Sequence, residues 1–250
     1  MRKSKFVLSS WLMAAGLLYG MAAAQASGIT ANAENGKQIF MEGKGEAAAC
    51  MTCHGEQALG NDALGAPRLA KIGYGYVLKQ LTNFAQDKRT PAGVGAVMNG
   101  FAKALSEQDR RDVAAFVNTL EVAPELSDLK ALKDEGQQIG QAYAGQILVL
   151  YGVKGKVSAC SSCHGYNGTG VDPVYPKIGQ QKYVYLVNQL KSWRDGSRAN
   201  DPLGQMRVMA KNLTDDDIYN AATYLSQAPP SKMVGDRIPE NNSLLHKVAH

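Results

Sequence analysis

Two copies of one pentapeptide contain every cysteine of the chain. They occupy residues 50–54 (CMTCH) and 160–164 (CSSCH) of a 250-residue sequence that has four cysteines and four histidines. In Cys-x-x-Cys-His, each thiol can form a thioether to one vinyl group of a haem, and the histidine that follows can bind the iron as its proximal ligand. The pattern therefore predicts two covalently attached haem c groups. The predicted attachment and proximal residues are Cys50, Cys53 and His54 in the first copy and Cys160, Cys163 and His164 in the second.

Other uses of the four cysteines explain the pattern less well. Two disulfides or a thioredoxin-like redox pair would suit an exported protein, but neither requires a histidine after both cysteine pairs. A zinc ribbon places its two knuckles about 15 to 20 residues apart, whereas these pairs stand 110 positions apart. The sequence therefore favours haem.

The first 26 residues have the order of a secretory signal. Arg2, Lys3 and Lys5 precede an apolar run from Phe6 to Ala24, and residues 24–26 (AQA) form a small-residue cleavage site. Serine and glycine interruptions in the run favour removal over the alternative, a retained membrane anchor. We expect export to the periplasm, removal of residues 1–26, and no integral membrane span in the mature form.

The charge of the chain argues against a nucleic-acid or anionic-membrane binder. Removal of the signal leaves 24 basic and 22 acidic residues. Two haems would add four propionates, so the complete protein is near neutral or slightly acidic.

The chain repeats one small domain at an offset of 108 to 110 residues, which is the mark of internal duplication. The matched segments are 67–69 with 176–178, 80–81 with 189–190, and 105–109 with 213–217. Aromatic residues at 74, 76 and 84 match those at 183, 185 and 193, and we interpret them as core packing. The predicted organisation is domain 31–123, helical linker 124–144, domain 145–228 and C-terminal tail 229–250.

Each copy predicts α-helices and no convincing strand. Ser106 with Asp109, and Thr214 with Asp217, place a hydroxyl three residues before a carboxylate, close to a capping box that begins a helix. Further helices are predicted at about 36–43, 74–86, 145–152 and 182–194. The predicted fold is all-α, with two tandem domains each wrapped around one haem. The haem supplies much of the core, which about 90 residues build poorly alone.

The ligand opposite each histidine decides between electron transfer and substrate chemistry. The two histidines outside the pentapeptides lie in the last five residues, so methionine is the better candidate. Met98 follows His54 by 44 residues and Met206 follows His164 by 42, and each lies seven residues before the leucine that precedes the last helix. The repeat selects Met98 and Met206 as iron ligands, with Met209 the alternative at the second haem.

Pro67 and Pro176 follow the haem histidines by 13 and 12 residues. A backbone carbonyl at each could accept a hydrogen bond from the second imidazole nitrogen, which would fix the ring. A turn proline is an equally good interpretation from the residues alone.

Together these segments resemble class I cytochrome c domains, specifically the tandem two-haem cytochrome c4 family. The resemblance rests on ACMTCHG and ACSSCHG, Pro-x-Leu and Pro-x-Ile, the tyrosine-rich helix ending in Gln-Leu, Met98 and Met206, and the Leu-Ser or Leu-Thr before each last helix. It covers about residues 34–122 and 143–228. It implies that Met98 and Met206 are distal ligands and that the carbonyls of Pro67 and Pro176 hold the proximal histidines. It also implies a periplasmic electron shuttle from a quinol-oxidising complex or a dehydrogenase to a terminal oxidase or reductase.

Two segments depart from this family. The linker has Leu126, Leu129 and Leu132 at helical spacing and is longer than the usual connection, which puts the family's tight domain interface in doubt. The tail has no counterpart.

Two other functions are alternatives. One is a cytochrome subunit of, or dedicated acceptor for, a periplasmic dehydrogenase, for example in thiosulfate oxidation. The other, a dihaem enzyme such as a peroxidase, is disfavoured because both copies have a methionine and no cysteine is left to bind iron. We therefore expect no enzymatic activity and no catalytic residues.

Overall fold

The computed structural model describes residues 30–230. The predicted signal peptide 1–26 and residues 231–250 of the predicted tail lie outside the described residues. Between residues 30 and 230 the regular structure is helical, apart from four isolated β-bridges. No helix in this part of the chain is long and apolar enough to cross a membrane. The predicted all-α fold is confirmed.

The same order of helices occurs in both halves of the described chain. The first half contains α1 (Ala33–Glu42), α2 (Met51–His54), α3 (Tyr74–Ala85), α4 (Val97–Ala104) and α5 (Glu107–Thr119). Helix α6 (Leu129–Asp134) lies between the halves. The second half contains α7 (Ala142–Tyr151), α8 (Ser161–His164), α9 (Tyr183–Asp195), α10 (Gln205–Ala210) and α11 (Asp215–Ser226).

The first helix of each half packs against the last one. Helix α1 packs on α5, and α7 packs on α11. A glycine allows each close approach: a Cβ at Gly36 would lie 2.0 Å from the carbonyl oxygen of Asp112, and one at Gly145 would lie 1.9 Å from that of Asn220. Glycine costs about 1 kcal/mol in a helix relative to alanine, so backbone contact is the reason for its presence here.

Capping boxes begin both last helices, as the sequence predicts. The Ser106 hydroxyl accepts a hydrogen bond from the Asp109 N–H at 3.1 Å, and the Asp109 carboxylate accepts one from the Ser106 N–H at 3.1 Å. Thr214 and Asp217 make the same pair of bonds before α11. Each box satisfies two backbone donors that the helix itself leaves unpaired.

The Ser106 cap can be tested by substitution. Ser106→Ala is expected to lower the free energy of unfolding by about 1 kcal/mol, since the Asp109 N–H loses its acceptor. Denaturant unfolding of the haem-loaded protein, followed by circular dichroism, measures the change. Thr90→Ala is the control, because Thr90 is an exposed hydroxyl residue outside the helices. Equal stability of the two variants would contradict the proposed role of the cap.

The predicted linker does not hold the domains apart. Helix α6 has only six residues, and Leu132 on it is buried in the apolar core of the second domain. The Ser127 hydroxyl accepts a hydrogen bond from the Tyr183 N–H at 2.9 Å, and the Gln227 side chain donates to the Ser127 carbonyl at 2.9 Å. The linker is therefore part of the second domain's surface and core.

The two domains contact each other directly, so the doubt raised by the linker was wrong. Gln181 and Arg68 exchange two bonds, from the Arg68 N–H to Gln181 Oε1 at 2.7 Å and from Gln181 Nε2 to the Arg68 carbonyl at 3.0 Å. The Arg68 guanidinium also donates to the Gly179 carbonyl at 3.1 Å. The Asp62 carboxylate accepts from the Val184 N–H at 3.0 Å, and so caps α9 from the other domain.

Candidate functional site

Each cysteine-histidine pentapeptide folds as one helical turn. In the first, the His54 N–H donates to the Cys50 carbonyl at 3.0 Å, and α2 ends at His54 because Gly55 takes a positive φ of 78°. Helical positions i and i+3 lie on one face, so the thiols of Cys50 and Cys53 lie on the same side of the turn. The second pentapeptide has the same turn, and it ends at Gly165.

All four cysteines are free thiols. Burial raises the pKa of Cys50 and of Cys160 to about 11. Cys163 is exposed, whereas Cys53 is half-buried. A pair of free thiols on one face of a helical turn suits thioether attachment to a haem, and the disulfides that the sequence disfavours are not formed.

The two histidines are oriented by backbone carbonyls. His54 Nδ1 lies 2.9 Å from the Pro67 carbonyl oxygen, and His164 Nδ1 lies 2.9 Å from that of Pro176. A carbonyl can only accept, so Nδ1 carries the proton and the lone pair of Nε2 is free for a metal. Burial lowers the pKa of both imidazoles, which favours the neutral form that binds iron. The sequence left two interpretations of each proline open, a hydrogen bond to the imidazole or a role in a turn. The structure shows the hydrogen bond at both prolines.

The candidate methionines lie on short helices against the two cores. Met98 on α4 is half-buried against the first core. Met206 and Met209, three residues apart on α10, are both half-buried against the second. Met98 and Met206 as iron ligands therefore stay a prediction that rests on their matched positions.

A cluster of polar and cationic side chains lies between the domains, and no local sequence motif marks it. We call it the interdomain arginine cluster; its members are Tyr76, Gln80 and Arg89 from the first domain and Tyr185, Gln189 and Arg198 from the second. Each residue stands 109 positions from its counterpart, the same offset as the repeat. Tyr76 packs against the first core as the repeat predicts, and the hydroxyls of both tyrosines also accept hydrogen bonds from arginines of the opposite domain.

Hydrogen bonds cross the domain boundary in both directions within this cluster. Arg89 donates to Gln80 Oε1 at 2.8 Å in its own domain, and to the Tyr185 hydroxyl at 3.2 Å and Gln189 Oε1 at 2.7 Å in the other. Arg198 mirrors it and donates to the Tyr76 hydroxyl at 3.1 Å and to Gln80 Oε1 at 3.2 Å. The two guanidinium groups connect the domains through neutral acceptors.

The cluster has two positive charges without a carboxylate partner and one donor without an acceptor among the described residues. Arg89 and Arg198 are each 6% exposed, and neither forms an ion pair with an Asp or Glu of residues 30–230. Gln80 Oε1 accepts from both arginines, whereas Gln80 Nε2 is buried without a hydrogen-bond partner there. Burial and the charge of Arg198 lower the pKa of nearby Lys79. Unpaired buried charges are costly, so the cluster suits an anionic ligand.

Comparison with known proteins adds to this geometry. A family model described as cytochrome c matches residues 33–121 and 151–229. The chain is 37% identical over 212 residues to the "thiosulfate dehydrogenase electron acceptor" of Stutzerimonas stutzeri (strain A1501), which covers 84% of this chain and 93% of that protein. It is 33% identical over 193 residues to cytochrome c4 of Stutzerimonas stutzeri, with 73% of this chain and 86% of that protein covered.

A solved structure shares the fold. Thiosulfate dehydrogenase from Marichromatium purpuratum matches with a TM-score of 0.70 and 28% sequence identity. The match covers 84% of this chain but only 45% of that one. The likeness therefore extends over both haem-binding halves of this chain and over less than half of the solved protein.

Proposed function

We propose that this chain, which belongs to the cytochrome c family and carries electrons on two covalently bound haem c groups, accepts its electrons from a dehydrogenase that oxidises thiosulfate. The observation that carries the proposal is the 37% identity, over 93% of its length, to a protein named as the electron acceptor of thiosulfate dehydrogenase. The fold shared with part of a solved thiosulfate dehydrogenase supports the same partner. This is the dedicated-acceptor alternative that the sequence left open.

The residues that hold each haem follow from the two helical turns. Cys50 and Cys53 would attach the first haem, and Cys160 and Cys163 the second. The haem iron supplies one-electron exchange. We assign His54 and His164 as proximal ligands, because their Nδ1 atoms are bonded to carbonyls and their Nε2 atoms are free.

Met98 and Met206 complete the proposed coordination. A thioether raises the reduction potential relative to harder ligands, and with histidine on the other side it leaves no position for a substrate. For this reason we propose a carrier without enzymatic activity. Pro67 and Pro176 keep the imidazole rings in one orientation in both oxidation states.

The interdomain arginine cluster would bind haem carboxylates. Gln80 Nε2 is a free donor to a carboxylate oxygen, and the charges of Arg89 and Arg198, which have no carboxylate partner among the described residues, would attract that carboxylate. Because both arginines reach into both domains, the cluster can respond to the charge of either haem. It would place the two redox centres in electrostatic contact.

We further propose that the protein works in the periplasm after removal of residues 1–26, whose order is that of a secretory signal. Covalent haem attachment and a thiosulfate-oxidising donor are compatible with that compartment. Electrons would leave to a terminal oxidase or reductase. A quinol-oxidising complex is the alternative donor.

The donor can be tested with purified proteins. Haem-loaded protein mixed with thiosulfate dehydrogenase and thiosulfate is expected to become reduced at both haems, several-fold faster than cytochrome c4 of Stutzerimonas stutzeri under the same conditions. Stopped-flow absorbance of the haem bands measures the rate. Mixtures without thiosulfate or without dehydrogenase are the controls. Reduction no faster than that of the cytochrome c4 would contradict a dedicated acceptor.

A further inference from the structure

We infer that the electron donor docks on the second domain, on an apolar and lysine-rich surface beside its haem attachment turn, and that the donor presents carboxylates around an apolar centre. We call this the lysine surface; it consists of Tyr151, Val153, Lys154, Lys156 and Lys211. The inference rests on the proposed function, since it locates the contact through which electrons would arrive.

The lysine surface lies next to the second pentapeptide. Tyr151 is the last residue of α7, and the carbonyl of the residue before it, Leu150, accepts a hydrogen bond from the Ser161 hydroxyl at 3.2 Å. Tyr151 is also near Tyr166: burial and this neighbour together raise the pKa of Tyr166. Because Cys163 is exposed here, a protein docked on this surface would approach the edge of the second haem.

The apolar part of the surface is exposed to solvent. Tyr151 is 61% exposed and Val153 is 37% exposed. They precede a tight turn in which the Val153 N–H donates to the Val157 carbonyl at 2.7 Å, and the Val157 N–H donates back to Val153. Adjacent exposed apolar side chains with a polar rim are typical of protein interaction sites.

The rim of the surface is positive. Lys154 and Lys156 project from the tight turn, and Asn212 Nδ2 donates to the Lys156 carbonyl at 3.0 Å, which brings Lys211 beside them. None of the three lysines has an ion pair within the described part of the chain.

The nearby acidic residues leave this charge in place. Asp215 is paired with Arg194, and Asp217 forms the cap of α11, so Asp216 is the remaining carboxylate of that turn. Residues 145–228 contain nine Lys or Arg against six Asp or Glu, whereas residues 31–123 contain ten of each. The linker residues 124–144, which pack on this domain, add two Lys against four Asp or Glu, so the second domain is close to neutral as a whole. The positive charge is local to the three unpaired lysines, and it suits an acidic partner.

The first domain gives an internal comparison. The positions that match Tyr151, Val153, Lys156 and Lys211 are occupied by Glu42, Lys44, Glu46 and Lys103.

Both lysines on this matched surface are neutralised. Lys44 is paired with Asp109 at 2.7 Å, and Lys103 is paired with Asp87 at 2.7 Å. The matched surface of the first domain is therefore neither apolar nor positive. Duplication placed two haem turns in the chain, but only the second has a surface that an acidic donor fits.

Charge reversal tests the inference. Lys154→Glu with Lys156→Glu is compared with Lys37→Glu with Lys88→Glu, a control of equal charge change at exposed sites of the first domain. Reduction by thiosulfate dehydrogenase and thiosulfate is expected to slow by about tenfold or more at low salt in the first variant, and by less than about threefold in the control. The difference should shrink at 1 M salt, where charges are screened within about 3 Å.

A second arm separates this inference from the proposed function. A reduced acidic flavodoxin replaces the dehydrogenase as donor, so thiosulfate chemistry is not involved. Slowing confined to the Lys154/Lys156 variant supports the lysine surface, and equal slowing of both variants overturns it. If the dehydrogenase fails to reduce the wild-type protein, the proposed function fails, and the flavodoxin rates still decide the docking surface.

Tyr151→Ser tests the apolar centre separately from charge. It is expected to slow reduction by both donors at every salt concentration. The substitution removes apolar contact area at the interface and leaves the electrostatic attraction between the partners in place. Rates that stay at the wild-type value would overturn the apolar contact. Full reduction of each variant by dithionite verifies that both haems are loaded.

Discussion

Met98→Ala is expected to lower the reduction potential of one haem and leave the other nearly unchanged, and Met206→Ala is expected to do the same to the second haem. A thioether ligand favours the reduced iron, and axial ligands as a whole set haem potentials over a range of about 0.8 V. Removal of the thioether should therefore lower the reduction potential of that haem by a large part of this range. The thioether charge-transfer band of that haem should also disappear. Spectroelectrochemical titration measures both, and both haems should remain attached.

The methionines of the chain supply their own controls. Met41→Ala removes a half-buried methionine of the first core that lies outside α4 and α10, and should leave both potentials in place. Met209→Ala should leave the second haem ligated. If Met206→Ala has no effect on the second haem and Met209→Ala removes its charge-transfer band, Met209 is the ligand. The assignment of Met206 from its matched position in the repeat would then be wrong.

Features that depend on a few neighbouring residues could be predicted from the sequence. The pentapeptides identified the cofactor, and family and relatives confirm two haem c groups. The capping boxes located α5 and α11, and the middle helices were placed within one residue of α3 and α9. Helix α1 begins three residues before the predicted start, because Asn32 is an N-cap that accepts from the Glu34 and Asn35 N–H groups.

Features that depend on contacts between distant residues were missed. The apolar spacing of the linker predicted a helix over 124–144, of which only Leu129–Asp134 is helical. Whether Leu132 faces solvent or a core is decided by the second domain and not by the linker. The arginine cluster has no local motif, since Arg89 and Arg198 follow α3 and α9 in ordinary loops. The signal in the sequence is the 109-residue offset, which relates Arg89 to Arg198 as it relates the matched helices.

The asymmetry between the domains also requires the structure. Lys44 and Lys154 both follow the first helix of their domain, yet Lys44 is held by Asp109 across 65 residues and Lys154 has no ion pair among the described residues. Duplication conserves the haem turn because the cofactor demands it. The outer surfaces of the two domains can diverge. The lysines on the matched surface of the first domain are paired with carboxylates, whereas those of the lysine surface are unpaired and can contact a partner.

Arg198→Gln is expected to lower the potentials of both haems, in contrast to the methionine variants, each of which changes one. A positive charge near a haem favours the reduced state, and Arg198 bonds to side chains of both domains. The shift should be tens of millivolts, since about 1.4 kcal/mol of interaction corresponds to about 59 mV for one electron. Arg194→Gln is the control, because that arginine is paired with Asp215 at the surface.

Thermal and denaturant unfolding of the same haem-loaded variants decides whether the cluster binds an anion. A buried guanidinium without a carboxylate is a cost to the fold, so replacing it with a neutral amide would leave stability unchanged or raise it. A guanidinium bound to haem carboxylates is the opposite case, and breaking such a buried pair costs about 3 to 5 kcal/mol. We therefore expect Arg89→Gln and Arg198→Gln each to destabilise the protein by an amount in that range. Stabilisation by either substitution, or a potential shift confined to one haem, would contradict a shared carboxylate site at the domain boundary.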